Sequence, residues 1–342
     1  MAEQVIGHSR VLELLEREKK VPTHAYLFVG ADGVGKATVA RRFAADLLCP
    51  TGGDHDLPCS SCRRAAASVH PDLIVIEAED GRTGVGVEQA REIATRSALS
   101  PVEGARRVFL LPEAGEMTEQ AANALLKTLE EPLAPVVFLL VADSEDDLPD
   151  TVASRCRTIH FGRVPEEELV DGLTTRGLDL DHARTVAAVS GGRPGLALTL
   201  ATQPEAASFR SAWLGVPGRL SAQPGDAFLL AEEMSVATEP LMSGVGVEET
   251  DATRRDRARR RARVTLLSSG LEILASWYVD SASLQLGGPV RHRDIPYADL
   301  TIVTPERAVA SAGRVLDVVV DLQANLRPQL LLADLFAKLG ES

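Results

Sequence analysis

Apolar residues follow two spacings in the first half of the chain. Five short runs rich in apolar residues stand out: Ala25 to Val29, Asp72 to Glu77, Arg107 to Leu111, Val136 to Ala142 and Thr158 to Phe161. Runs of this length predict strands, and strands without polar alternation belong to a parallel sheet covered on both faces. Between them, "GKATVARRFAADLL" and "TEQAANALLKTLEE" carry the helical period, the second stopped by Pro132. The alternation predicts an α/β, doubly wound parallel-sheet domain over residues 1–164.

Past "RVPEEEL" the strand pattern ends. Short helical segments broken at "SGGRPG", Ser190 to Gly195, predict a small helical lid over residues 165–205. Residues 206–342 read as an all-α domain interrupted from Leu214 to Gly225 and from Gly287 to Pro305. No repeat of fixed period is present, which argues against a solenoid.

Composition narrows the class. At 342 residues with 45% hydrophobic and 25% charged, the chain has core material for two or three globular domains. A net charge of -13 and an isoelectric point near 5.1 argue against a surface that grips nucleic acid throughout. With 4% aromatic residues, base-stacking platforms are disfavoured as well. The N-terminal residues carry charges and no signal-like apolar run, and no segment has the ~20 apolar residues of a membrane helix. A cytoplasmic protein with reduced thiols and no membrane partner is the expectation.

The chemistry begins at "FVGADGVGKATVARRF", Phe28 to Phe43. Gly30, Gly33, Gly35 and Lys36 fit a phosphate-binding loop between a strand and a helix, whose backbone amides and lysine suit phosphate. The hydroxyl that such a loop presents to magnesium is replaced by Ala37, and Thr38 is turned about a quarter of the way round the helix. A nucleotide motor also needs an acid pair after a buried strand. After "RVFLL", Pro112 stands where the metal-binding aspartate belongs and Glu113 where the glutamate belongs. Two independent magnesium contacts are therefore missing.

"TEQAANALLKTLEEP" and "LPDTVASRC", with Ser154-Arg155-Cys156, join this loop in a pattern that resembles the clamp-loader branch of the AAA+ superfamily. Within that branch the chain is similar to the delta-prime family of bacterial DNA polymerase III, from Val5 to about Leu200. The resemblance implies an AAA+ domain, a three-helix lid and a helical collar for oligomerisation. It implies that Arg155 is an arginine finger reaching the ATP of a neighbouring subunit, where a guanidinium is worth ~10³-fold or more. The bland alternative is a structural arginine at the domain junction. The lid arginine of AAA+ motors maps to Gly195, with Arg193 two residues earlier. The family's zinc module of four cysteines maps to Cys49, Cys59, Cys62 and Ala65. Zinc needs a fourth ligand, so the module is completed by His55, His70 or an acid, or is metal-free. Cys156 is expected to pack in the interior.

The expectation is a noncatalytic stator of the replicative clamp loader. Its implied partners are the motor subunits gamma and tau, the delta subunit, the sliding clamp and primer-template DNA. Zinc is the candidate cofactor; ATP binding in its own loop is left open and hydrolysis is not expected. The alternatives are an active AAA+ motor of a clamp or helicase loader and a nucleotide-binding scaffold outside replication. The run "RRDRARRRAR", Arg254 to Arg263, is read first as a solvated helix face compensated by Glu248, Glu249 and Asp251, and second as a contact for nucleic acid or an acidic partner.

Overall fold

The computed structural model describes residues 5–56, 58–78, 84–132, 135–242, 252–323 and 327–341. The chain forms two compact units: residues 1–168 with 193–195, and residues 169–192 with 196–342.

The first unit is built on five strands, β1 (Ala25–Val29), β2 (Leu73–Val75), β3 (Arg107–Leu111), β4 (Val136–Ala142) and β5 (Arg157–His160). All pair in parallel in the order β2-β3-β4-β1-β5. The expected strands are all present; β2 is shorter than its apolar run, and β5 begins one residue earlier than predicted. Helices α1 (Ser9–Glu18), α2 (Lys36–Leu48), α3 (Ser60–Ala66), α4 (Val87–Ser97), α5 (Glu119–Glu130) and α6 (Asp150–Ala153) complete the unit.

Successive residues of a strand point to opposite faces, and both faces are dry. Leu27, Phe109, Phe138 and Leu140 join one core with Ala90, Ile93, Leu125 and Leu129 of α4 and α5. Tyr26, Phe28, Leu110 and Leu139 join the other with Leu15, Val39 and Phe43 of α1 and α2. This explains the unbroken apolar runs and makes the unit an α/β doubly wound sheet. Thr118 caps α5 by accepting from the Ala121 amide at 3.2 Å, and Pro132 lies just past its end.

The described residues from α7 onward form helices and no strand: α7 (Glu166–Thr174), α8 (Leu180–Ser190), α9 (Pro194–Leu200), α10 (Glu205–Leu214), α11 (Pro224–Val236), α12 (Glu239–Met242), α13 (Ala252–Gln285), α14 (Tyr297–Leu300), α15 (Pro305–Gln323) and α16 (Pro328–Gly340). Trp213 of α10 is fully buried between Phe209 and Phe336, with ring centroids at 6.2 and 6.5 Å. Gly270 of α13 leaves room for its indole, because an added Cβ would meet Trp213 Cε2 at 2.0 Å.

The arginine run lies in the first turns of α13, with Arg255, Arg259, Arg260, Arg261 and Arg263 exposed. Arg259 and Arg263 both pair with Glu239. Glu248, Glu249, Asp251 and the side chains of Arg254 and Arg257 lie outside the described residues. Among the described residues, no helix is long and apolar enough to cross a membrane.

Candidate functional site

The glycine loop leaves the C-terminal end of β1 in the middle of the sheet. Gly30 has φ +149°, and an added Cβ would meet the Phe161 carbonyl oxygen at 2.3 Å, so no larger residue fits there. Gly35, with φ 104°, caps α2. Lys36 opens that helix and is buried, with 6% of its surface exposed.

Lys36 is already engaged. Its Nζ donates to the carbonyl oxygens of Gly30 and Ala31, the latter at 3.0 Å, and to Asp143 Oδ1 at 2.7 Å. An ammonium has three donors, and three acceptors meet it. The sheet explains the partner: β1 pairs with β4 so that Val29 faces Ala142, and the residues just beyond, Gly30 and Asp143, become neighbours. The Gly30 amide donates to the Asp143 carbonyl at 3.1 Å. Other loop carbonyls also have internal partners, Val34 with His8 Nε2 at 2.8 Å and Gly33 with the Gly195 amide at 2.9 Å. A Cβ on Gly195 would stand 3.1 Å from the Gly33 oxygen, and Arg193 is buried. Asp143 carried no motif in the sequence; only the strand order brings it to the loop.

At the end of β3, Glu113 is exposed and Pro112 half-buried. Thr38 is half-buried in the first turn of α2.

Arg155 lies at the other end of the sheet. It precedes β5, whose Arg157 is level with Tyr26 near the start of β1. Its Nη1 donates to the Thr151 carbonyl at 2.6 Å and its Nη2 to Glu130 at the end of α5. Cys156 is half-buried against the apolar core, and burial pushes its thiol up to about 12.

The cysteines converge with one histidine. Ligand atoms of Cys49, His55, Cys59 and Cys62 all lie within 4.8 Å of one another. Cys49 and Cys59 Sγ are 3.8 Å apart, and His55 Nε2 is 3.4 Å from Cys49 Sγ and 3.3 Å from Cys62 Sγ. A tetrahedral zinc with Zn–S of about 2.3 Å spaces its sulfurs about 3.8 Å apart, so the donor set fits such an ion. Burial raises the Cys49 thiol, but hydrogen bonds from the Thr51 side chain and the Gly53 and Thr51 backbone outweigh it and hold the group at about 6. Burial and the two neighbouring thiols push Cys62 up to about 12. The group can therefore hold a metal such as zinc. His70 is placed elsewhere, against Ser61 Oγ at 3.0 Å and the Asp72 amide at 3.1 Å. Ala65 is buried in the core.

Residues 7–165 match the family described as DNA polymerase III, delta subunit. Over 135 residues the chain is 40% identical to the DNA polymerase III subunit delta' of Pseudomonas aeruginosa, covering 39% of this chain and 41% of that one. It is 34% identical to the delta' subunit of Bacillus subtilis over 185 residues, 52% of this chain and 54% of that one. Over part of its length the chain is thus similar to delta-prime subunits of DNA polymerase III. The chain spans about half the length of the delta-prime relatives it matches, 41% and 54%. A DNA polymerase III subunit tau/gamma of Haemophilus influenzae is 35% identical over 167 residues, 48% of this chain and 24% of that one. Delta-prime and tau/gamma relatives thus match at comparable identity.

Proposed function

We propose that this chain is a noncatalytic stator of the replicative sliding-clamp loader, donating Arg155 in trans to the ATP site of a neighbouring motor subunit. What carries the reading is the separation of Arg155 from the chain's own phosphate loop. The loop follows the C-terminal end of β1, and Arg155 precedes the N-terminal end of the adjacent, parallel β5. A strand rises about 3.3 Å per residue, so the height of the sheet separates the two. An arginine there is out of reach of its own loop and open to a subunit docked below it.

The loop supports the other half of the proposal. Ala37 and Pro112 remove two magnesium contacts, Gly195 lacks the lid guanidinium, and Lys36 is satisfied by the chain's own acceptors. Hydrolysis requires charge neutralisation at the transferring phosphoryl group, which the replaced magnesium ligands and lid guanidinium would have provided. Residues 165–205 would serve as lid and 206–342 as collar in a cytoplasmic assembly with gamma/tau, delta, the clamp and primer-template DNA. Cys49, His55, Cys59 and Cys62 would hold a structural zinc, which when bound would tie the segment after α2 to α3.

The second reading, an active motor subunit, draws on the similarity to tau/gamma. ATP turnover by the reconstituted loader with clamp and primed DNA separates the two. The stator reading expects Arg155→Ala to lower turnover and Lys36→Ala to leave it unchanged, with assembly intact. Loss of turnover on Lys36→Ala would instead make this chain a motor.

A further inference from the structure

The guanidinium of Arg155 is held from two sides. Nη1 donates to the Thr151 carbonyl of α6 at 2.6 Å, and Nη2 to a carboxylate oxygen of Glu130, the last residue of α5. Two acceptors on different elements fix two nitrogens of one rigid plane and so set its tilt. Of the five N–H groups of a guanidinium, three are left for a partner. The side chain is 33% exposed, so a partner can reach it.

Glu130 is itself firmly placed. Leu125 and Leu129 anchor α5 in the core, Thr118 caps its start and Pro132 follows its end. Glu131 stands beside it as an exposed C-cap.

We infer that Glu130 is a positioning residue for the arginine finger, orienting the Arg155 guanidinium before the neighbouring subunit docks. The inference rests on the donor reading of Arg155 given above. A finger stabilises a transition state only when its geometry is set in advance, and an exposed arginine would otherwise lose much rotamer freedom on docking. As a fold-stabilising contact this surface pair is worth little. Its effect therefore belongs in turnover and not in the melting temperature.

The test is ATP turnover by an assembly reconstituted from this chain and its motor subunits, with kcat and KM read separately and the thermal midpoint of each variant chain recorded. Glu130→Ala is expected to lower kcat about tenfold to hundredfold, the scale of a misplacement of about 1 Å, with KM, assembly and melting unchanged. Glu130→Gln, whose amide oxygen still accepts, retains more activity, and Glu131→Gln matches wild type. The double variant with Arg155→Ala is no slower than Arg155→Ala alone. If Arg155→Ala is slow while Glu130→Ala is as fast as wild type, the positioning role is overturned and the finger survives. Faster turnover in Glu130→Ala, or losses that multiply in the double variant, overturn it too. If Arg155→Ala keeps full turnover, the donor reading falls and the positioning role falls with it.

Discussion

Lys36 and Asp143, 107 residues apart in sequence, form an ion pair at 2.7 Å across the mouth of the glycine loop. A phosphate entering the loop must draw the ammonium away from Asp143 and from two carbonyl oxygens. We predict that the wild-type chain binds ATP weakly and that Asp143→Asn binds it more tightly, without gaining turnover because Ala37 and Pro112 are unchanged. Titration with a fluorescent ATP analogue checks this. Equal affinity in both proteins would mean that the pair is not the obstacle.

The cysteine cluster predicts about one zinc per purified chain by elemental analysis. His55→Ala should lower the zinc content and the melting temperature, because metal binding is coupled to folding. His70→Ala should keep the zinc, since that ring faces Ser61 and Asp72. Undiminished zinc in His55→Ala would remove the histidine from the ligand set.

Gly270→Ala tests the packing of the helical unit. Alanine favours a helix by about 1 kcal/mol over glycine. The added Cβ, however, would overlap the Trp213 indole, whose nearest atoms would lie at 2.0 to 2.5 Å. Overpacking of a core costs typically about 1–3 kcal/mol, so the expected sign is destabilising. A lower urea midpoint confirms it, and a higher one would show that Trp213 can move aside.

The same unit should lose stability in mild acid. His292 is buried, accepts from Arg210 at Nδ1 (2.9 Å) and meets Ser276 Oγ at Nε2 (2.7 Å). Burial, and then the Arg210 charge, hold its pKa below the usual histidine value, against the opposing carboxylates of Asp280 and Asp294. Its folded pKa is depressed, so the unfolded chain takes up the proton more readily. The neutral ring's contribution is then complete above about pH 6.5 and lost as pH falls through the lower folded value. Urea midpoints measured between neutral pH and pH 5 should fall, and His292→Gln should fall less steeply.

Much of the fold was legible because apolar spacing reports the environment of each residue directly. β1, β3 and β4 coincide with their predicted runs, since every position faces one of two dry layers. The breaks at Gly191 and Gly192 and at Pro224 fell where helices stop or start. The candidate site was legible where a motif is local, as at Gly30 to Lys36 and at Ser154 to Cys156. It was hidden where strand order makes the contact. Asp143 reaches Lys36 only because β4 lies beside β1, and Glu130 reaches Arg155 only because α5 ends beside the turn between α6 and β5. His55 was one of three candidates for the fourth ligand, and spacing could not choose among them.

The placement of the loop and Arg155 at opposite ends of one parallel sheet gives the first unit a direction. On the proposed role, a row of such units would stack head to tail, each offering an arginine from one end and receiving one at the other, in a heterologous contact that does not close on itself in a pair. A unit whose receiving end has lost its chemistry can still give. In such a row the proposed role leaves this chain the terminal place, where an arc of subunits stays open instead of closing into a ring.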